Sequence, residues 1–153
     1  MDIYFFDSSA LVKRYVTETG TIWVSTLIDP SVGNRTFIAR ITAVEVVSAI
    51  KRRERAGNLS ATDMTASLIK FRQELTTIYL PIEVNQNLIL HATSLVETHA
   101  LRGYDAVQLA AALEVYSQRQ FAGLSRPTFV SADSSLNRAA QAEGLTVDDP
   151  NVH

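Results

Sequence analysis

The chain has 153 residues, 46% of them hydrophobic and 20% charged, with a formal net charge of −2. That length suits one domain burying roughly two thirds of the surface that its unfolded chain exposes, and the absence of cysteine excludes disulfides and thiolate metal sites and accords with a reducing cytoplasm. The small negative charge argues against indiscriminate polyanion binding, no signal peptide is evident, and the longest apolar stretch, "LAAALEVY", is interrupted by Glu114 and too short to span a bilayer.

"IYFF", an apolar run with aromatic and β-branched residues, predicts a buried strand that runs straight into Asp7. "SSALVKRYVTE" follows with helical spacing at Leu11 and Tyr15, and "TIWVSTLID" predicts a short helix stopped by Pro30. "RTFIARI" is strand-like. "TAVEVVSAIKRRERAGN" predicts a helix with Thr42 as N-cap and Gly57-Asn58 as its stop. Ser60 opens another helix through Leu75, "TTIYLPI" predicts a strand, and "EVNQNLILHATSLVETHA" an amphipathic helix. Gly103 separates it from "YDAVQLAAALEVYSQ", a helix apolar on most sides and therefore expected to be central. "PTFVSA" is a strand, "DSSLNRAAQAE" a helix ended by Gly144, and "LTV" a last strand. Strands alternating with helices imply an α/β class: a central, mostly parallel sheet of about five strands with helices on both faces. No repeat, linker or low-complexity tract interrupts residues 1–153, so a single domain is expected.

Open parallel sheets bind ligands beyond the carboxyl ends of their strands, where the strand order reverses. Four acids stand at such seams: Asp7, Glu45, Asp105 and Asp133. Each has a purely structural explanation. Asp7 and Asp133 are good N-cap residues, although Ser8, Ser9 or Ser134 would cap equally well. Glu45 completes a capping box with Thr42; on a helical wheel it faces away from Val47 and Ile50, beside Ser48 and Arg52. Asp105 suits the first turn of a helix dipole, yet shares its face with Leu109 and Ala112, where an unpaired carboxylate is costly. Clustered carboxylates repel by about 4 kcal/mol per pair at 4 Å and an effective dielectric near 20. They persist only with protons or a divalent ion, and oxygen-only ligands suit Mg²⁺ or Mn²⁺ rather than Zn²⁺. His91, His99 and His153 show no ligand spacing. Setting the four acids aside leaves +2 on the remainder, so the acidic total is compatible with a nucleic-acid substrate.

Four stretches together, "IYFFDSSALVKRY", "TAVEVVSAIKRR", "LRGYDAVQLAAALE" and "TFVSADSSLNRAAQAEGL", resemble the PIN-domain family, especially the VapC-like toxins of bacterial type II toxin–antitoxin pairs. The resemblance spans nearly the whole chain. It implies a PIN-like α/β/α sandwich and a Mg²⁺- or Mn²⁺-dependent endoribonuclease whose products carry a 5′-phosphate and a 3′-hydroxyl. Asp7, Glu45, Asp105 and Asp133 match the family's four catalytic, metal-binding acids, and Ser131 its supporting hydroxyl. Of these, Asp7 and Asp105 are the first expected direct ligands. The implied partners are an RNA substrate, a VapB-like antitoxin whose tail covers the acidic cleft, and a second copy in a homodimer, all in the cytoplasm and away from membranes. For the dimer, Trp23 and Leu27 of the early helices are candidate exposed contacts. Arg52, in the basic run "KRRER", and Lys13 and Arg14, after Asp7, are candidate RNA contacts, against the plainer reading of solvated helix ends.

Rival readings fare less well. A phosphatase of the haloacid-dehalogenase type wants a second Asp two residues after the first, where Ser9 stands. A phospho-acceptor receiver domain wants a Lys after a late strand, which "TFVSADSS" lacks. A non-catalytic α/β binding module with four capping acids, and a PIN-domain nuclease outside a toxin–antitoxin pair, are the remaining alternatives.

Overall fold

Strands β1 (Ile3–Phe6), β2 (Arg35–Ala39), β3 (Tyr79–Ile82), β4 (Thr128–Val130) and β5 (Thr146–Asp148) form one sheet in a computed structural model that describes residues 1–153. The order is β3-β2-β1-β4-β5 and every pairing is parallel. The chain therefore winds outward from β1 to β3, then returns to the other side of β1 for β4 and β5. That reversal puts the switch point between β1 and β4, where Phe6 pairs with Val130.

Seven α-helices flank the sheet: α1 (Ser8–Leu11), α2 (Thr21–Ile28), α3 (Thr42–Arg55), α4 (Ala61–Thr77), α5 (Gln86–Thr98), α6 (Gly103–Phe121) and α7 (Ser134–Ala142). Successive strand residues feed opposite faces. Phe5, Ala39 and Phe129 join α5, α6 and α7 in one core, with the rings of Phe5 and Phe129 stacked at 5.9 Å. Phe6, Ile38 and Val130 join α1 to α4 in the other. Full burial of each such side chain contributes roughly 1.5–3 kcal/mol. The expected α/β/α sandwich is thus present, and α6 is central: Ala106 to Leu113 are all buried.

Some boundaries differ from expectation. The first helix tightens after Leu11 into a 3₁₀ turn, Val12–Arg14. Ile41, not Thr42, occupies the N-cap of α3, with no side-chain cap bond. Thr42 instead begins the buried stripe Thr42, Val46, Ile50. Gly103 opens α6 rather than separating it from α5, and Thr76 and Thr77 end α4 rather than starting β3. Trp23 and Leu27 are half-buried against the core, and Trp23 stacks on His153 at 4.0 Å, so neither is the exposed contact expected of it. The last 3₁₀ turn, Pro150–Val152, docks against Gly20. Gly20 has φ +85°, and a Cβ there would collide with the Pro150 backbone, so both conformation and space require glycine.

Candidate active site

A cleft of about 780 Å³ opens beside the β1–β4 switch point. Glu45 from α3, Asp105 from α6 and Asp133 before α7 all line it, with Ser8, Ser9, Arg52, Arg102 and Tyr104. Asp7 lies just beneath, at 2% exposure. The strand order explains the gathering. β1 and β4 are neighbours, so the residues leaving them, Asp7 and Asp133, meet although most of the sequence lies between them.

Asp7 is held by the backbone and by two hydroxyls. Its Oδ1 accepts from Ala10 N at 2.9 Å, so it does cap α1. Ser9 Oγ donates across both carboxylate oxygens at 2.8 and 2.9 Å, and Ser131 Oγ donates to Oδ2 at 2.7 Å. The serines therefore do not release Asp7 from capping; they brace it. Ser9 Oγ in turn accepts from Ala132 N, and Ser131 Oγ from Asp133 N, so the two hydroxyls stitch the end of β1 to the end of β4. Burial pushes the Asp7 carboxyl up to about 7, against the pull of the bonds from Ser131, Ala10 and Ser9 and with a further push from Asp105.

Asp105 is half-buried. Its carboxyl is also raised, first by burial and then by the negative charges of Asp133 and Glu45, with Arg102 opposing. Asp133 caps α7 through Oδ1, which accepts from Leu136 N at 2.9 Å. Glu45 is half-buried, and its Oε1 accepts from Gln108 Nε2 at 2.7 Å. The capping box with Thr42 does not form, because Thr42 lies inside the helix and its Oγ1 also accepts from Gln108 Nε2.

None of the four acids is in an ion pair. No three of the Asp, Glu and His side chains stand close enough to make a ready cage for a metal ion. The donor set nonetheless fits a hard cation. It is all oxygen, it is unpaired by Lys or Arg, and two of its carboxyls are pushed up by burial and by their like-charged neighbours. Mg²⁺ keeps several waters and takes only one or two carboxylates, so a closed cage is not required of the protein.

The basic residues divide. Arg52 and Arg102 line the cleft with no carboxylate partner, and Arg52 donates only to Ser48 Oγ at 3.2 Å. Arg53 also lines it but is paired with Glu18 at 2.6 Å. Arg14 is not on the cleft. Its guanidinium binds both oxygens of Glu74 at 2.8 Å, away from the acids, and it is withdrawn as an RNA contact. Lys13 lines the cleft but is buried, and its ammonium donates to Thr19 O and Asn151 Oδ1 and pairs with Glu18 at 3.4 Å, so its charge is engaged within the protein. The histidines lie elsewhere: His99 bonds Glu143, His153 bonds Asp148, and His91 is exposed on α5. Gln108, Arg102 and Tyr104 had no assigned role in the sequence, and Ser9 only that of an alternative helix cap. Arg102 and Tyr104 lie three and one residues before Asp105, which is the one local signal that pointed to them.

No helix is long and apolar enough to cross a membrane. No protein-family model matches the chain. It is 34% identical over 149 residues to the Mycobacterium tuberculosis protein Ribonuclease VapC45, covering 96% of this chain and 95% of that one. Its fold is similar to that of PAE2754 from Pyrobaculum aerophilum, with a TM-score of 0.64, 18% identity, and 99% and 91% of the two chains covered. It is also similar to a chain of a toxin–antitoxin complex from Klebsiella pneumoniae, with a TM-score of 0.61, 18% identity, and 96% and 97% covered.

Proposed function

The chain belongs to the VapC family of PIN-domain proteins, and from that premise we propose that it is a divalent-cation-dependent endoribonuclease, the toxin of a toxin–antitoxin pair. The observation that carries the reading is the cleft itself: Glu45, Asp105 and Asp133 share one wall system above buried Asp7, with no cation paired to any of them.

In this reading Asp7 and Asp105 would hold Mg²⁺ or Mn²⁺. Ser9 and Ser131 keep the Asp7 carboxylate in one orientation, through bonds of 2.7 to 2.9 Å. Glu45 and Asp133 face the same cleft and orient the water that attacks the phosphodiester. The cation's contribution, when bound, is to make a water nucleophilic near neutral pH and to neutralise charge developing on the phosphoryl oxygens. Arg52 and Arg102, free of carboxylates, take the phosphates flanking the scissile one. Tyr104, 63% exposed beside Asp105, offers a ring on which an unpaired base stacks.

The partner follows from the same premise. A small VapB-like antitoxin would cover the acidic cleft, and a homodimer in the cytoplasm is the expected free form of the toxin. One experiment tests the catalytic reading. Purified protein should cleave single-stranded RNA with Mg²⁺ or Mn²⁺ and stop in EDTA. Asp7→Asn and Asp105→Asn should each slow cleavage by roughly a thousandfold, about 4 kcal/mol of barrier. Variants that cut as fast as the parent would remove these residues from the site.

A second reading has specific support: Asp7 and Asp133 do cap helices, as in a non-catalytic binding module. Calorimetry with Mn²⁺ separates the two, since a set of caps binds no cation.

A further inference from the structure

Gln108 lies on α6 three residues after Asp105, on the same side of that helix, and is 1% exposed. Its Nε2 donates to Thr42 Oγ1 at 2.9 Å and to Glu45 Oε1 at 2.7 Å. Both amide protons are thereby committed to α3. Its Oε1 has no partner in the protein. The amide cannot be turned to relieve that, because its oxygen would then face the Glu45 carboxylate. A buried carbonyl left unsatisfied costs about 1–3 kcal/mol. Its neighbours along α6, Val107, Leu109 and Ala112, are buried and apolar, so an apolar side chain of similar size would avoid that cost. The fold therefore carries a polar group at a place where only its donor side has a use.

We propose that Gln108 is a positioning residue for the cation site: it ties Glu45 to the helix that bears Asp105 and holds the two carboxylates at a set separation. The inference rests on the metal-dependent reading above. Glu45 is a flexible side chain on α3, and its like-charged neighbour drives it toward solvent. One buried amide, anchored on the second side by Thr42, removes that freedom before any cation arrives. The bond also couples the two helices that carry Glu45 and Asp105.

Gln108→Met tests this, because it removes the clamp and the orphaned carbonyl together. In EDTA its melting temperature should stay close to the parent's, because losing the orphaned carbonyl offsets leaving the buried Thr42 hydroxyl without its donor. Its affinity for Mn²⁺, measured by calorimetry, should fall by about tenfold or more, the usual effect of losing a residue that orients a metal ligand. Thr42→Val removes only the anchor and leaves the bond to Glu45. It should lower the melting temperature while changing Mn²⁺ affinity by less than about threefold, well short of that loss. Unchanged Mn²⁺ affinity in Gln108→Met overturns the inference, and so does an equal loss in Thr42→Val, which would mark the bonds as packing alone. A parent protein that binds no Mn²⁺ overturns the metal reading itself, and the inference falls with it. A binding parent with an unaffected Gln108→Met variant overturns the inference only.

Discussion

Asp7 occupies the position that the sequence read either as a helix cap or as a corner of a site. It caps α1 and it sits under the cleft, and the burial that accompanies both raises its carboxyl to about 7 from an ordinary 3.8. The sign of the resulting pH effect is fixed. The folded protein holds this proton more tightly than the unfolded chain, so the associated stability is complete below about pH 4 and is lost as pH rises through about 7. In EDTA, Asp7→Asn keeps the size and the acceptor oxygen without the charge. It should therefore be more stable than the parent at pH 8, by up to about 4 kcal/mol, with the gap closing toward pH 4. Denaturant melts at the two pH values measure this, and a gap of constant size would show that the carboxylate is not strained by burial.

Asp133 belongs to its helix as much as to the cleft, which makes α7 the place to separate the two. Asp133→Ser retains an N-cap oxygen, so stability should stay within about 0.5 kcal/mol while RNA cleavage falls. Asp133→Ala should lose the same activity and a further ~1 kcal/mol of stability. Equal activity in parent and serine variant would leave Asp133 as a cap alone. At this scale the sequence was legible in its periodicities: the alternation of short apolar runs with amphipathic stretches foretold a mostly parallel sheet of about five strands and the central α6. It was misleading at Thr42, where a capping-box spacing coincided with a buried position already inside the helix. Local spacing describes a free helix end, and the burial of Thr42, whose hydroxyl accepts from Gln108, overrode it. Trp23 and Leu27 read as exposed for the same reason, since nothing local announces the turn at Pro150–Val152 and His153 that covers Trp23.

For the molecule as a whole, the strand order decides what meets what. The four acids could be named from seams in the sequence, but Gln108 could not, because its partners lie on a helix more than sixty residues earlier. The free arginines were equally hidden: Arg14 and Arg52 look alike until Glu74 is found beside one of them. A cation drawn to the cleft binds only the folded chain, so it should stabilise it. At a hundredfold excess over its dissociation constant the gain is about 2.7 kcal/mol, or roughly 5–10 °C in melting temperature for a domain of this size. Thermal melts with and without Mn²⁺ read that shift, which should vanish when Asp7→Asn and Asp105→Asn are combined.

The pairing of β4 beside β1 also has a consequence for synthesis. β1 is made first among the strands, yet its neighbour on one side, and with it Ser131 and Asp133, is translated only after α6 is complete. A growing chain can form β1, β2 and β3 but has only part of the cleft. Until the ribosome has passed Asp133 there is no complete wall of acids, and under the proposed reading every shorter nascent chain should leave the surrounding RNA intact.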